Sequence, residues 1–428
     1  MDKIESIYIS NIQLILKSDI MPNLNLKNFA KIKDSDFDIK DITVFAGKPG
    51  TGKSYIMKFL YAYTAAVNSL QNGSYKMHYA LMDSDEFDQT MLSMLRNGVM
   101  TKKIININEI NIHIENSDYI EASTLLNNIK FDKDNTEEGM LQVFQNILNK
   151  LAKKQKKSLL DSEEEKFYLI FRNILTSIFG DINQINDTFQ YRSKELELSY
   201  KENKLTINKL NIFNTKSTSI FVETPLILEF EKFLPTERFK VPYHIDSLLQ
   251  ELNKNDYSFT SEETDDFIHS FISSTKSIIS GNISKGTQGF SFESSNGRTY
   301  NIVNASSGTK SIGLLQYLVK NRVIKKGSTL FWEEPEVHLH PTWQLKMIDL
   351  FIELMNAGVK IVFSTHSPFM ADYLNAKATK EKFRERVSFN LLCEEEGVVS
   401  NTILNDDNWK LLQDELMGAF EDIMWQYL

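Results

Sequence analysis

Two stretches of this sequence carry residue types and spacings that could do phosphate chemistry. Gly47-Lys48-Pro49-Gly50-Thr51-Gly52-Lys53-Ser54 has the spacing G-x-x-x-x-G-K-S, that of a loop that wraps phosphate. Successive backbone N–H groups at a helix start make an anion nest, and glycines let the main chain come close. In such a loop Lys53 reaches the β- and γ-phosphates and Ser54 ligates Mg2+. The second stretch, Thr329-Leu330-Phe331-Trp332-Glu333-Glu334-Pro335, is an apolar strand ending in two carboxylates. Phosphate hydrolysis needs one acid to hold the metal's water shell and another to polarise the attacking water. Glu333 is assigned the first task and Glu334 the second. Neighbouring strand residues face opposite ways, so both reach one site only if the chain turns at the strand end.

Three further patterns say less by themselves. His338 and His340 lie on one side of an extended segment, but no third ligand is near in sequence and they are not read as a metal site. Ala305-Ser306-Ser307-Gly308-Thr309-Lys310 precedes a helical pattern. Such a turn suits either phosphate binding or a plain N-cap, and the residues alone favour the cap. His366 closes the apolar run ending Phe363-Ser364-Thr365, where it could meet a γ-phosphate or simply hydrogen-bond within a loop.

The elements that must hold these residues follow from periodicity. DITVFAG reads as the strand before the phosphate loop and SYIMKFLYAYTAAVNSL as the helix after it. The runs IYISNIQLIL, LKNFAKI and HYALMD also read as strands. From Thr136 to Phe189 the pattern is helical, with Leu141, Phe144, Ile147, Leu148 and Leu151 on one face. Strands return in ELELSY, KLTINKLNIF and SIFVETPLILEF, and helices at 243–280. GFSFESSNGRTYNIV reads as a hairpin turning at Asn296-Gly297. Then come helix 308–323, strand 328–333, helix 342–356, strand 359–364, a helix from 367 and a terminal amphipathic helix.

The 428 residues suffice for two or three domains. Hydrophobic residues at 42% and charged residues at 25% are those of a globular chain. A single cysteine, Cys393, excludes a disulfide framework and fits a reducing compartment. The net charge of −9 has the wrong sign for coating nucleic acid with the whole surface. The N-terminus does not read as a signal peptide, and no run is long and apolar enough for a membrane span. The expectation is a cytoplasmic protein with no membrane partner.

Phosphate loop, SSG turn, acidic strand and strand-end histidine, in this order, resemble the ABC-type ATPase heads of the RecF, SMC and OLD-like families. Prokaryotic AAA-family ATPases of this type look closest. LKNFAKIKDSDFDIKDITVFAGKPGTGKS, NASSGTKSIGLLQYLV, LFWEEPEVHLHPTWQ and FSTHSPFMADYL carry the likeness. It implies an α/β P-loop NTPase head, a sheet core flanked by helices plus an antiparallel β-region, with a mostly helical insertion. The head would comprise 1–130, 193–300 and 301–400, interrupted by the insertion at 131–192 and followed by a C-terminal helix at 401–428. It also implies ATP and Mg2+ bound between two heads arranged head to tail. Ser306, Ser307 and Gly308 of one would touch the nucleotide held by Gly47–Ser54 of the other. Glu334 would be the general base and His366 the γ-phosphate switch. Three positions depart from the pattern: Glu333 replaces the usual aspartate, Ser307 stands where a glycine is usual, and the glutamine that follows the first helix has only Gln89 as a candidate.

Spacing narrows the function classes. Ser54 and Ser306 are about 250 residues apart, too far for a transporter ATPase, and the insert is too short and irregular for an SMC arm. About 60 residues follow His366, too few for the Toprim nuclease of OLD proteins. Two readings remain: a homodimeric switch that controls a separately encoded nuclease or toxin in antiphage defence, and a RecF-like ATPase acting on DNA. The acidic balance favours the first. The lysines at 150, 153, 154, 156 and 157 leave DNA open as a partner, although such runs are usually solvated helix faces.

Overall fold

The computed structural model describes residues 23–71, 121–124, 145–150, 152–153, 162–211, 218–230, 241–253, 266–286 and 289–427. Gln89, the runs IYISNIQLIL and HYALMD, and three of the five clustered lysines lie outside them. The chain divides into two compact units, 1–65 with 175–428, and 66–174. In the second unit Ser123 Oγ hydrogen-bonds Asn149 Oδ1 at 2.6 Å, and Phe167 stacks on Phe171, ring centres 5.4 Å apart, one helical turn later.

The strands described all belong to the first unit. They are β1 (Leu24–Phe29), β2 (Ile32–Phe37), β3 (Ile42–Gly47), β4 (Thr188–Ser193), β5 (Leu196–Lys201), β6 (Lys204–Leu210), β7 (Ser219–Val222), β8 (Gly281–Gly286), β9 (Gly289–Ser294), β10 (Thr299–Asn301), β11 (Thr329–Trp332), β12 (Lys360–Thr365), β13 (Val387–Glu395) and β14 (Val398–Ile403). Eleven form one sheet in the order β6-β5-β4-β1-β2-β14-β13-β3-β12-β11-β7, and β10-β9-β8 form a second. From β13 to β7 every pairing is parallel. From β2 to β6 every pairing is antiparallel.

The composition explains this split. β3, β11 and β12 are mostly apolar and buried on both faces, as a parallel sheet covered by helices requires. β4 instead alternates, with Phe189, Tyr191 and Ser193 buried and Thr188, Gln190 and Arg192 exposed. The helices are α1 (Lys53–Gln71), α2 (Glu163–Phe179), α3 (Tyr243–Asn253), α4 (Asp266–Ile279), α5 (Ser307–Lys320), α6 (Pro341–Asn356), α7 (Pro368–Lys380) and α8 (Lys410–Tyr427). On one face of the sheet Phe59 of α1 meets Phe29 and Tyr191 at 5.1 and 5.2 Å, and Tyr61 meets Phe221 and Phe331 at 5.4 and 5.8 Å. The alternate residues Leu330, Trp332, Ile361 and Phe363 join a buried cluster with α5, α6 and α7. Each large side chain buried there stabilises the fold by about 1.5–3 kcal/mol. The parallel strand ends, with helices starting just beyond them, are where α/β sheets place ligands.

Three sequence expectations are corrected. LKNFAKI, read as one strand, is the end of β1, a turn at Ala30-Lys31 with Ala30 at φ 50°, and the start of β2 at Ile32. The helical pattern read to Phe189 stops at Phe179, where Gly180 takes φ 75°, a left-handed conformation that glycine adopts without penalty. Residues 188–193 are strand β4. Likewise SIFVETPLILEF is not one strand: β7 ends at Val222, and beyond Thr224-Pro225 the chain makes a helical turn, Ile227–Phe230.

Candidate functional site at the parallel strand ends

β3 delivers the phosphate loop. Gly47, at φ 142°, ends the strand, and a Cβ there would lie 2.3 Å from the Leu392 carbonyl oxygen of β13. Only glycine fits that approach. Gly50 and Gly52 also take positive φ, 80° and 86°, so the loop's conformation matches its residues. Lys53 begins α1 and folds back over the loop. Its Nζ donates to the carbonyls of Gly47 and Lys48, both at 2.8 Å, and to Thr51 Oγ1 at 3.4 Å. Burial lowers its pKa to about 8, against the opposing fields of Glu334 and Glu336. Lys48, Pro49 and Gly50 are exposed at the loop's crest, and Lys48 pairs with Glu415 of α8 at 3.3 Å.

β11 lies in register with β7 and β12 and delivers the carboxylates. Glu333 continues the β7 ladder, its N–H donating to the Val222 carbonyl at 2.9 Å. Burial raises its pKa to about 7, against the neighbouring Lys58 and Ser54, which favour the ionised form. Glu333 Oε1 is buried without a partner. Glu334 takes φ 43°, a strained conformation for a residue with a Cβ. This is the turn that two adjacent strand residues needed. The Glu334 N–H donates to Ser364 Oγ of β12 at 3.2 Å, and its Oε1 lies 2.9 Å from His366 Nε2. The structure therefore brings Lys53, Ser54, Glu333, Glu334 and His366 together at three adjacent strand ends.

The SSG turn is built differently. Ser306 caps α5, accepting from the Thr309 N–H at 3.2 Å, and its Oγ lies 2.8 Å from Thr309 Oγ1. Ser306 is exposed, Ser307 half-buried and Gly308 buried. A Cβ on Gly308 would lie 3.2 Å from Trp343 Cε3 and 3.3 Å from the His338 carbonyl oxygen. His340 is a helix cap, its Nδ1 accepting from the Thr342 N–H at 3.3 Å.

Four residues of this region, Glu336, Glu223, Lys58 and His244, were not singled out from sequence. Glu336 Oε1 accepts from Thr365 Oγ1 at 2.9 Å and from the His366 N–H at 2.6 Å, pinning the histidine's backbone. Burial raises its pKa, and its Oε2 has no partner. Glu223 at the end of β7 takes Lys58 of α1 at 2.8 Å and His244 of α3 at 2.8 Å. Hydrogen bonds from His244 and Lys58 bring the Glu223 pKa down to about 2 despite burial. Only Glu336 had a local sequence signal, a third acid two positions past the pair. Glu223 and Lys58 meet from 165 residues apart.

A divalent cation fits the donor set. Ser54 and Glu333 supply oxygen donors, and Glu333 Oε1 is buried without a partner. Among the described residues no group of three or more His, Cys, Asp or Glu could hold a metal alone.

A mixed α/β sheet with a G-x-x-x-x-G-K-S loop and carboxylates on neighbouring strand ends defines a P-loop NTPase. The chain belongs to the AAA ATPase domain family, which matches residues 21–371. A comparison with curated proteins finds no match. Similar solved structures are SMC heads. An SMC head bound to the C-winged helix domain of ScpA is 13% identical, with TM-score 0.43, over 90% of this chain and 98% of that one. The SMC head domain from Thermotoga maritima is 11% identical, with TM-score 0.37, over the same shares. No helix among the described residues is long and apolar enough to cross a membrane.

Proposed function

We propose that the strand-end site binds ATP with Mg2+ and hydrolyses it. The observation that carries this reading is the contact of His366 with Glu334 at the end of β12, the strand that pairs directly with the phosphate-loop strand β3. Gly47, Lys48, Pro49, Gly50, Thr51 and Gly52 cradle the phosphates through backbone N–H groups, and Lys53 supplies the cation facing them. Ser54 and Glu333 hold the Mg2+, which when bound neutralises phosphate charge. Glu334 takes the proton of the attacking water, and His366, bonded to the same carboxylate, orients it and faces the γ-phosphate.

The catalytic unit in this reading is a head-to-tail homodimer in which Ser306, Ser307 and Gly308 complete the partner's site. Exposed apolar side chains flank each loop that such a dimer would cover. Val303 precedes the SSG turn, Val337 follows Glu334 and Phe369 follows His366. The dimer acts as a switch for a separately encoded nuclease or toxin in antiphage defence, with the insertion at 131–192, which carries none of the site residues, as the docking element. The net charge of −9 supports a protein partner over DNA.

Glu334→Gln tests the assignment. Hydrolysis should fall by about 10²–10⁴ while fluorescent ATP still binds, and light scattering should show an ATP-dependent dimer. Wild-type turnover would remove Glu334 as the base, and an ATP-saturated monomer would remove the dimer.

A further inference from the structure

The first turn of α1 serves two sides of the sheet. Consecutive helix residues point about 100° apart, so Ser54 and Tyr55 leave the end of the phosphate loop in different directions. The residues one turn further on show where each direction leads. Lys58, four after Ser54, reaches Glu223 at the end of β7 at 2.8 Å. Phe59, four after Tyr55, meets Phe29 of β1 and Phe189 and Tyr191 of β4, with ring centres 5.1, 6.1 and 5.2 Å apart. Tyr55 therefore looks away from the carboxylates of β11 and towards the antiparallel half of the sheet.

Of the aromatic side chains on α1, Phe59, Tyr61 and Tyr63 are 1%, 1% and 3% exposed. Tyr55, the one beside the phosphate loop, is only half-buried. Its ring rests on Phe179, with centres 5.2 Å and planes 43° apart. Phe179 is buried and ends α2. Beyond it Gly180 turns at φ 75°, Asp181 caps the single turn Ile182–Gln184, and the Ile185 carbonyl accepts from the Ala30 N–H at 3.1 Å. The ring under Tyr55 is thus tied to the β1–β2 turn. Tyr55 has a fixed apolar floor and stays partly open to solvent.

A nucleoside triphosphate carries its base at the far end of the phosphate chain from the γ-phosphate. In the proposed site the γ end lies towards Glu334 and His366, on the β12 side of β3. The base therefore leaves the loop on the other side, where Tyr55 stands. We propose that Tyr55, backed by Phe179, is the platform against which the base of the bound nucleotide stacks. This inference rests on the nucleotide reading of the strand-end site and adds the residue that tells a nucleotide from bare phosphates. Every base has a π-face, so the platform favours nucleotides without choosing among them.

ATP and inorganic tripolyphosphate are the probes, because they share the phosphate chain and differ in the nucleoside. Each is titrated with Mg2+ into the full chain by calorimetry, with thermal melting to show that every variant is folded. Tyr55→Leu keeps apolar bulk on Phe179. It should bind ATP about fivefold or more weakly than wild type, the worth of one stacked base, and tripolyphosphate within about twofold of wild type. Tyr55→Phe keeps the ring and should match wild type for both. An equal loss for both ligands would mean that Tyr55 only shapes the phosphate loop. Undiminished ATP affinity in Tyr55→Leu, or a Phe variant as weak as the Leu variant, would equally overturn the platform. Lys53→Ala separates the two claims, since it should weaken both ligands alike. Wild-type ATP affinity in Lys53→Ala would remove the nucleotide reading itself, and the platform with it.

Discussion

The strand-end site and the SSG turn both lie at helix starts, yet they are built on opposite terms. At the strand ends, Glu333 Oε1, Glu336 Oε2 and His366 Nδ1 are buried without partners. The acidic loop around them is strained, with Glu334 at φ 43° and His338 at φ 66°. The SSG turn carries no such debt: Ser306 is satisfied by Thr309, Gly308 is packed against Trp343, and Lys310 is buried against Glu229 at 2.6 Å. Strain and unmet polar atoms mark a place shaped for a ligand rather than for stability. The turn is exposed at Ser306 and complete in its own hydrogen bonds, as the proposed trans contact would require.

Substitutions at the two places should therefore fail differently. Ser306→Arg puts bulk and charge on the presented face without touching the phosphate loop. Hydrolysis should fall by about 10²-fold or more, the scale of losing a preorganised transition-state contact, while ATP affinity of the separate chains stays within about twofold of wild type. Steady-state turnover at the wild-type rate would mean that the turn serves no catalytic face. At the strand ends, Glu336→Ala releases the backbone of His366, and misplacing a group of the proposed catalytic site costs on the order of tenfold to a hundredfold. The loss should fall on kcat and spare KM. Glu336→Gln keeps an oxygen acceptor and should recover most of it. If Gln and Ala variants are equally slow, charge rather than positioning is what Glu336 supplies.

Sequence legibility also divides along this line. The phosphate loop, β11, β12 and helices α5 to α7 announce themselves through local spacing, because each depends on an apolar run and its own cap. The turn at Glu334 could be inferred because two adjacent strand residues cannot otherwise share a site. What local spacing cannot express is a contact made across the sheet. Glu336 meets His366 and Glu223 meets Lys58 only because β7, β11 and β12 are neighbours. The missed strand β4 is a different failure. Its alternation, Phe189-Gln190-Tyr191-Arg192, is plain once Gly180 is taken as the end of α2, but the apolar spacing before it masks the change of period. β13 and β14 were likewise unread, although Glu396 and Gly397 take φ 50° and 81° at their hairpin turn. A glutamate at the first position hides the usual Asn-Gly or Asp-Gly signal.

The ion cluster beneath the strand ends gives a smaller, pH-dependent effect. Glu223 has its folded pKa depressed to about 2 by His244 and Lys58. Its contribution is therefore fully present above its ordinary value of 4.5 and is lost as pH falls through 2. His244, lowered by burial, acts in the same direction below its ordinary 6.5. Glu223 is about a third exposed, so solvent screening limits the gain. Melting curves should show wild type above Glu223→Gln by a few degrees at pH 7, with the gap closing as pH approaches 2. A gap that is constant with pH would mean that packing, not ionisation, makes the difference.

The smallest effect is expected where the two places touch, at Gly308 against the acidic loop. Gly308→Ala gains about 0.5–1 kcal/mol from reduced freedom of the unfolded chain in a helical position. Against this, the new methyl lies 3.2 Å from Trp343 and 3.3 Å from the His338 carbonyl, closer than comfortable packing. Trp343 is half-buried and can shift by a few tenths of an ångström; the His338 backbone has less room. The two terms should nearly cancel, leaving stability within about 1 kcal/mol of wild type by denaturant unfolding. Gly47 offers no such compromise, because its missing Cβ would meet the Leu392 carbonyl at 2.3 Å in a conformation only glycine tolerates. A loss well beyond about 2 kcal/mol in Gly308→Ala would show that the acidic loop's strain extends into the turn, and that the two regions are one rigid device rather than two.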